Sequence, residues 1–171
     1  ILEKNELFKN INKDQLENLA QSAEVIKAPI GLPLANREKK NQRILIIIEG
    51  EARLLGQINS TNNLTLAKLT SGSVIGISSF IQNFGCEEII ASTEVLALSI
   101  LDESLLNLYK NEKAFRNFLL QNILINELVS VTESILINND STNDKFKRSF
   151  NQLVKSSKIV IIENKKIKDF N

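Results

Sequence analysis

The side chains best suited to chemistry in this chain lie next to one another at positions 86 to 88. Cys86 is the only cysteine and could act as a nucleophile or a redox thiol. The neighbouring carboxylates of Glu87 and Glu88 would raise the pKa of its thiol, and the chain has no histidine to activate it. The two glutamates could form an acid–base pair, but adjacent strand positions point to opposite faces. We therefore expect an inert cysteine, glutamates that form surface ion pairs or partner contacts, and no enzymatic activity.

A second stretch, at positions 76 to 79, could hold an anion. Gly76 permits a close approach of the backbone, and a helix that begins beside it would offer free N–H groups. The hydroxyls of Ser78 and Ser79 could contact an anion or cap this short helix, and capping is the favoured interpretation.

Composition limits the classes of function that remain. The 171 residues contain 21 Lys and Arg against 20 Asp and Glu, so net charge gives no general attraction for nucleic acid or for a membrane surface. Without histidine the commonest metal ligand is missing, and we expect no metal and no cofactor. A single cysteine is typical of the reducing cytosol, and no apolar run is long enough to span a membrane.

The apolar pattern changes twice along the chain. Residues 5–23 repeat at helical spacing, with Asn12 as a candidate N-cap between two short helices. From residue 25 onward short apolar runs alternate with turns, which predicts about eight strands. The run 44–48 is typical of a buried strand, and residues 57–63 are predicted to be a polar connection.

After residue 101 the pattern becomes helical again. Asp102 is predicted to cap one helix, and residues 111–138 are predicted to form one long helix with a wide apolar arc. One stripe of this arc could form a homodimer seam or pack on the protein's own sheet. Its residues are Leu124, Leu128, Val131 and Ile135.

The C-terminal part, residues 139–171, is rich in lysine. It contains a predicted short helix at 145–156 and a predicted strand at 158–162. Its charges are scattered, so a solvated linker to a following domain is favoured over contact with anionic lipid or nucleic acid. We predict two parts, a folded domain at 1–138 and a basic extension or linker at 139–171. Because the chain begins at Ile1, we expect it to be a fragment of a longer protein.

The order of these elements, and three local motifs, resemble cyclic-nucleotide-binding domains over residues 7–138. The motifs are the strand and Gly-Glu hairpin at 46–52, the approach at 70–76, and the pair Ser79-Phe80. The resemblance implies an α+β fold. An antiparallel β-roll of about eight strands would be flanked by N-terminal and C-terminal helices.

The resemblance also marks what this chain lacks. In the family, a Glu after the glycine holds the ribose 2′-hydroxyl and an Arg clamps the cyclic phosphate. Here Ile77 follows Gly76, and no arginine occurs between Arg53 and Arg116. Losing such a charged partner costs about 2–5 kcal/mol. The implied degenerate ligand pocket consists of Gly76, Ile77, Ser78, Ser79, Gly85, Glu87 and Glu88.

We therefore expect neither cAMP nor cGMP to bind at micromolar concentrations. An inward-pointing Glu87 or Glu88 would add repulsion toward a phosphate. Alternation along a strand would place only one of the two side chains inside.

A narrower resemblance concerns the segments 49–56, 65–79 and 86–98, which are similar to the N-terminal cytosolic domain of cyanobacterial type I secretion exporters. In these ABC transporters the domain precedes a peptidase-like domain and the membrane core. The resemblance implies a cytoplasmic regulatory or docking domain whose partners are other domains of the same polypeptide. The alternative is the sensor half of a catabolite-activator-type transcription regulator. That alternative would require a following helix-turn-helix, whereas residues 159–162 resemble a strand.

Overall fold

Two antiparallel four-stranded sheets form the centre of the protein in a computed structural model that describes residues 1–59, 62–121, 125–136 and 142–158. One sheet has the strand order β1-β8-β3-β6 and the other β2-β7-β4-β5. The strands are β1 (Glu24–Ala28), β2 (Pro33–Ala35), β3 (Arg43–Glu49), β4 (Ala52–Asn59), β5 (Asn62–Leu69), β6 (Val74–Ile75), β7 (Ile89–Ala91) and β8 (Val95–Leu101).

Helices precede, interrupt and follow the strands. Two 3₁₀ turns, Leu2–Lys4 and Glu6–Phe8, come first. The α-helices are α1 (Lys13–Gln21), α2 (Ile77–Gln82), α3 (Asp102–Asn111), α4 (Lys113–Gln121), α5 (Ile125–Leu136) and α6 (Asn143–Ser156). This arrangement confirms the predicted α+β class and the number of strands among the described residues. None of the described helices has both the length and the apolar character needed to cross a membrane.

Strand β3 separates two hydrophobic cores, which is why its residues form a continuous apolar run. Leu45 and Ile47 face the core between the two sheets. Ile44 and Ile46 face a second core, formed with the N-terminal helices, α3 and α4. Phe8 and Phe115 stack in this second core with their ring centroids 6.0 Å apart. Burial on both faces confirms the predicted buried strand.

The predicted helix boundaries were correct at one place and wrong at another. Asn12 caps α1, because its side-chain Oδ1 accepts a hydrogen bond from the Asp14 amide at 2.9 Å. Asp102 was wrongly predicted as a cap, since α3 already begins at this residue and Leu101 occupies the cap position. The Asp102 carboxylate instead lies 2.8 Å from the Lys40 ammonium group, and this ion pair replaces the expected cap.

The predicted polar connection at 57–63 is shorter in the structure. Strand β4 continues to Asn59 and β5 starts at Asn62, with Gln57 paired opposite Asn63. Strand pairing uses backbone groups, so a polar sequence does not prevent it.

The C-terminal helices extend the core between the sheets. Phe146 and Phe150 of α6 are buried in it, together with Val129 of α5. Residues Asn143–Ser156 of the predicted extension therefore form a packed helix and not a solvated linker. Three predictions fall on positions outside the described residues. They are the domain boundary at 138, the continuity of the long helix through 122–124, and positions 159–162 of the last strand.

Candidate functional site

The candidate site is built around the start of the short helix α2. Gly76 occupies the position before the helix with a φ of +91°, a conformation that other residues rarely adopt. A Cβ atom at this position would lie 2.9 Å from the Arg43 carbonyl oxygen. Glycine is therefore required here, both by the backbone conformation and by the close approach to β3.

The carboxylate of Glu87 accepts hydrogen bonds from three backbone N–H groups at the start of α2. Its Oε2 lies 2.8 Å from the Gly76 nitrogen, and its Oε1 lies 2.8 Å from the Ser78 nitrogen and 3.3 Å from the Ser79 nitrogen. The Glu87 residue has no solvent exposure. A helix start leaves such N–H groups without helical partners, and a negative charge is favoured beside them.

The inward direction of Glu87 follows from the register of β7. Ile89 and Ala91 are buried, whereas Glu88 and Ile90 are only partly buried. The alternation along this strand continues back to position 87 and carries the Glu87 side chain inside. The predicted surface ion pair or partner contact is therefore wrong for Glu87. Among the described residues, no Lys or Arg forms an ion pair with it.

The two serines do not cap the helix, contrary to the favoured interpretation. The Ser78 hydroxyl is buried and has no hydrogen-bond partner among the described residues. The Ser79 hydroxyl lies 3.6 Å from the Cys86 sulfur. The reason is that the Glu87 carboxylate, which comes from eight to eleven residues away, already accepts from the N–H groups that a capping hydroxyl would use.

Two of the predicted pocket residues, Ile77 and Gly85, are tightly packed. Ile77 is buried in the second core, with the side chains of β3, α3 and α4. A Cβ atom at Gly85 would lie 2.6 Å from the Arg37 carbonyl oxygen and 2.7 Å from the Lys39 carbonyl oxygen. The loop before β3 therefore leaves no space for a side chain at position 85.

Glu88 belongs to a different charged cluster, centred on Arg37. The Arg37 guanidinium donates to both carboxylate oxygens of Glu133 at 2.7 and 2.8 Å, and to the Leu55 carbonyl oxygen at 2.8 Å. Its Nε lies 3.6 Å from a carboxylate oxygen of Glu88. Glu133 also accepts from the Gln57 amide at 2.7 Å. We call Arg37, Glu88 and Glu133, with the backbone groups of Leu55 and Gln57, the Arg37 cluster. The cluster connects α5 to β4.

The sequence interpretation did not find the Arg37 cluster. Arg37 lies in the charged segment 36–42 of the sequence, and Glu133 lies 96 positions further along the chain. No spacing rule within a helix or a strand connects two such residues.

Cys86 has a raised thiol pKa, as expected. Burial is the largest cause, the neighbouring Glu87 and Glu127 carboxylates act in the same direction, and the Ser79 hydrogen bond and Arg37 oppose them. A raised pKa keeps the thiol protonated and unreactive near neutral pH. In the described part of the chain, no group of three or more His, Cys, Asp or Glu is arranged to hold a metal ion.

The predicted dimer stripe divides between two environments. Leu128 packs against the core between the sheets, whereas Val131 and Ile135 are 46% and 56% exposed. Leu124 lies outside the described residues.

Two cavities lie apart from the start of α2. One, of about 300 Å³, lies between α2 and α3, and the other, of about 410 Å³, lies beside β1 and β2. None of the seven predicted pocket residues lines either cavity.

A roll of eight strands with a glycine-initiated helix between β6 and β7, enclosed by N-terminal and C-terminal helices, is the cyclic-nucleotide-binding fold, and solved structures support this assignment. A cyclic nucleotide-binding domain from Methylobacillus flagellatus is similar, with a TM-score of 0.58 and 18% identity over 94% of this chain and 83% of that one. The N-terminal domain of a transcriptional regulator from Streptomyces coelicolor matches with a TM-score of 0.57 and 20% identity, covering 82% of this chain and 99% of that one.

A regulatory subunit of a cAMP-independent protein kinase A from Trypanosoma brucei is also similar. Its TM-score is 0.55 at 14% identity, over 69% of this chain and 48% of that one. No protein-family model and no curated protein matches the sequence. At these identities, the similarity establishes the fold.

Proposed function

We propose that this chain is a non-enzymatic regulatory or docking domain of a membrane ABC exporter, and that it binds neither cAMP nor cGMP. The observation that carries the proposal is the Glu87 carboxylate, which occupies the N–H groups of Gly76, Ser78 and Ser79. In the family that the sequence resembles, this segment receives the cyclic phosphate.

Three features act together against a nucleotide. A phosphate at the start of α2 would have to displace a fully buried carboxylate or share its site with a like charge. Ile77 offers no acceptor for a ribose hydroxyl. Gly85 is packed against two carbonyl oxygens of the loop 37–39, so no arginine side chain can enter from that position.

The similar structures favour a regulatory role. They include a kinase regulatory subunit and the N-terminal domain of a transcriptional regulator. A Glu→Ala, Thr→Arg and Val→Ala mutant of the Trypanosoma brucei subunit is described as bound to cAMP in its A site. In that protein, cAMP is therefore bound by a variant that has lost a Glu and gained an Arg. The present chain has Glu87 between β6 and β7, and its sequence has no Arg between Arg53 and Arg116.

The exporter assignment rests on the resemblance of the segments 49–56, 65–79 and 86–98 to cyanobacterial exporter domains. In this assignment the domain lies on the cytoplasmic side of the membrane, and its partners are other domains of the same polypeptide. Val131 and Ile135, which are exposed one helical turn apart on α5, provide a surface for a homodimer.

One observation favours the alternative, the sensor half of a transcription regulator. The matched domain from Streptomyces coelicolor is covered almost completely, at 99% of its length. Sequencing the gene beyond position 171 separates the two functions. A peptidase-like domain and membrane spans support the exporter, whereas a helix-turn-helix supports the transcription regulator.

Calorimetric titration tests the claim about nucleotides. We expect no binding heat when cAMP, cGMP or cyclic dinucleotides are titrated into the chain. A dissociation constant below about 10 μM, which corresponds to about −7 kcal/mol, for either cyclic mononucleotide would overturn the proposed function. A competent nucleotide-binding domain titrated in parallel controls for the activity of the nucleotides.

A further inference from the structure

We propose that the cavity between α2 and α3 binds a small organic cation that has an apolar or aromatic body. The volume of this cavity is about 300 Å³, which lies at the lower end of the range for sites that bury small molecules. The cavity is distinct from the start of α2, since none of the seven predicted pocket residues lines it. The proposal therefore goes beyond the proposed function and does not depend on it.

The walls of the cavity include large apolar side chains from both helices. Phe80 and Ile81 come from the second half of α2, and Leu106 and Tyr109 come from α3. Ile81 and Leu106 remain 41% and 43% exposed. A ligand body seated between the helices would remove this apolar surface from water, which favours binding. The two aromatic side chains are also favourable neighbours for a cation.

The charged groups that line the cavity leave one carboxylate without a partner. Lys40 is the single cation among the described lining residues, and its ammonium group lies 2.8 Å from the Asp102 carboxylate. Glu103, the next residue on α3, is exposed and forms no ion pair with any described residue. With one cation and two carboxylates, the lining carries one net negative charge. Charge complementarity therefore favours a ligand with one positive charge.

The larger cavity, beside β1 and β2, has the opposite character. Its described lining residues include four cations and no carboxylate, the cations being Lys27, Lys39, Lys40 and Arg43. A positively charged ligand is therefore disfavoured there, and the sign of the ligand's charge selects the cavity between α2 and α3.

The spacing of the lining residues on α3 indicates how the ligand lies. Asp102, Leu106 and Tyr109 follow one another at i, i+4 and i+7, which places them on one face of the helix. This face runs for about 10 Å, from the carboxylates in the first turn to the Tyr109 ring. A single aromatic ring joined to an ammonium group by a short linker matches that length, with its charge toward Glu103.

Two probes of opposite charge test the proposal. 2-Phenylethylamine carries the cation, and 3-phenylpropionate has the same ring and a linker of equal length but ends in a carboxylate. Each is titrated at neutral pH and constant ionic strength into the isotopically labelled 171-residue chain, while NMR follows the amide shifts of Ile81 and Leu106. Glu103→Gln removes the unpaired charge, and Leu106→Trp fills the cavity from an exposed position. Glu49→Gln is the matched control, because Glu49 is also exposed but lies at the end of β3, outside the cavity lining.

We expect 2-phenylethylamine to shift the amides of Ile81 and Leu106 in a saturable manner, with a dissociation constant below about 1 mM. 3-Phenylpropionate should leave these two amides unshifted. Glu103→Gln should weaken binding of the amine about fivefold, the effect of one charge pair close to water. Leu106→Trp should abolish binding, and Glu49→Gln should leave it unchanged.

Equal binding of the two probes between α2 and α3, or no saturable shift of these amides with the amine, would overturn the proposal. So would a dissociation constant that responds equally to Glu103→Gln and Glu49→Gln. If Leu106→Trp does not fold, this comparison of the two glutamine variants decides the question. These outcomes are separable from the proposed function, whose claim about nucleotides fails only if the chain binds cAMP or cGMP.

Discussion

Adjacent glutamates in this domain have their charges compensated in two different ways. Glu87 lies in the interior and is held by backbone N–H groups at the start of α2. Glu88 points the other way, into the Arg37 cluster, where charged side chains share the compensation and remain partly exposed. The difference shows that burial and alternation, and not residue type, decide whether a carboxylate acts as an internal ligand or as part of an ion-pair network.

The largest expected effect comes from Glu87. Replacing Glu87 by Ala leaves three buried N–H groups without an acceptor, and we expect the free energy of unfolding to fall by about 3–5 kcal/mol. Urea denaturation measures this loss. Glu88→Ala is the matched control and should cost less than about 1 kcal/mol, because its ion pair is long and partly exposed. Equal losses in the two variants would remove the distinction between the two glutamates.

The Arg37 cluster should come second. Arg37→Ala leaves the Glu133 carboxylate, whose side chain is 16% exposed, without its guanidinium partner. We expect a loss of about 2–3 kcal/mol, with faster amide exchange in α5. Arg37→Lys retains the charge but cannot reach Glu133 and the Leu55 carbonyl oxygen from two separate nitrogens, and it should lose less than Arg37→Ala. If α5 keeps its protection in Arg37→Ala, the cluster does not hold this helix on the roll.

A third prediction asks whether the missing nucleotide-holding residues can simply be restored. Gly85→Arg should cost about 3 kcal/mol or more, because its Cβ atom clashes with the backbone carbonyl oxygens of Arg37 and Lys39. In the double variant Ile77→Glu with Gly85→Arg, calorimetry should still detect no cAMP binding while Glu87 is present. Adding Glu87→Ala to this double variant is the informative comparison. Nucleotide binding by the double variant alone would show that Glu87 does not block the site.

The smallest effect on stability is expected on the exposed face of α5. Val131→Asp and Ile135→Asp should change the free energy of unfolding by less than about 0.5 kcal/mol. If this face forms a homodimer, both variants should be monomeric in sedimentation experiments while the wild type is dimeric. Ile30→Asp, at another exposed apolar position, is the control and should leave the dimer intact. A monomeric wild type would contradict the proposed dimer.

Much of the fold was predictable because it depends on local patterns. Three features of the local sequence each predict one element. The β-branched run predicts strand β3, Asn12 predicts the start of α1, and Gly76 predicts the start of α2. The end of β4 was not predictable from polarity, because its pairing with β5 uses backbone groups.

The candidate site was predictable only in part. The sequence identified Gly76, Ile77 and the absence of an arginine between Arg53 and Arg116. It did not identify which of the two glutamates points inward, because Ile89 and Ile90 are both apolar and leave the register of β7 ambiguous. The serine caps were wrongly favoured for a related reason, since the group that replaced them comes from a position eight to eleven residues later.

The most direct test of the central claim is a crystal structure of the wild-type chain grown with millimolar cAMP. We predict electron density for the Glu87 carboxylate within hydrogen-bonding distance of the Gly76 and Ser78 nitrogens, and no nucleotide in the roll. Density for a cyclic phosphate at those nitrogens, with the Glu87 side chain rotated away, would contradict the claim.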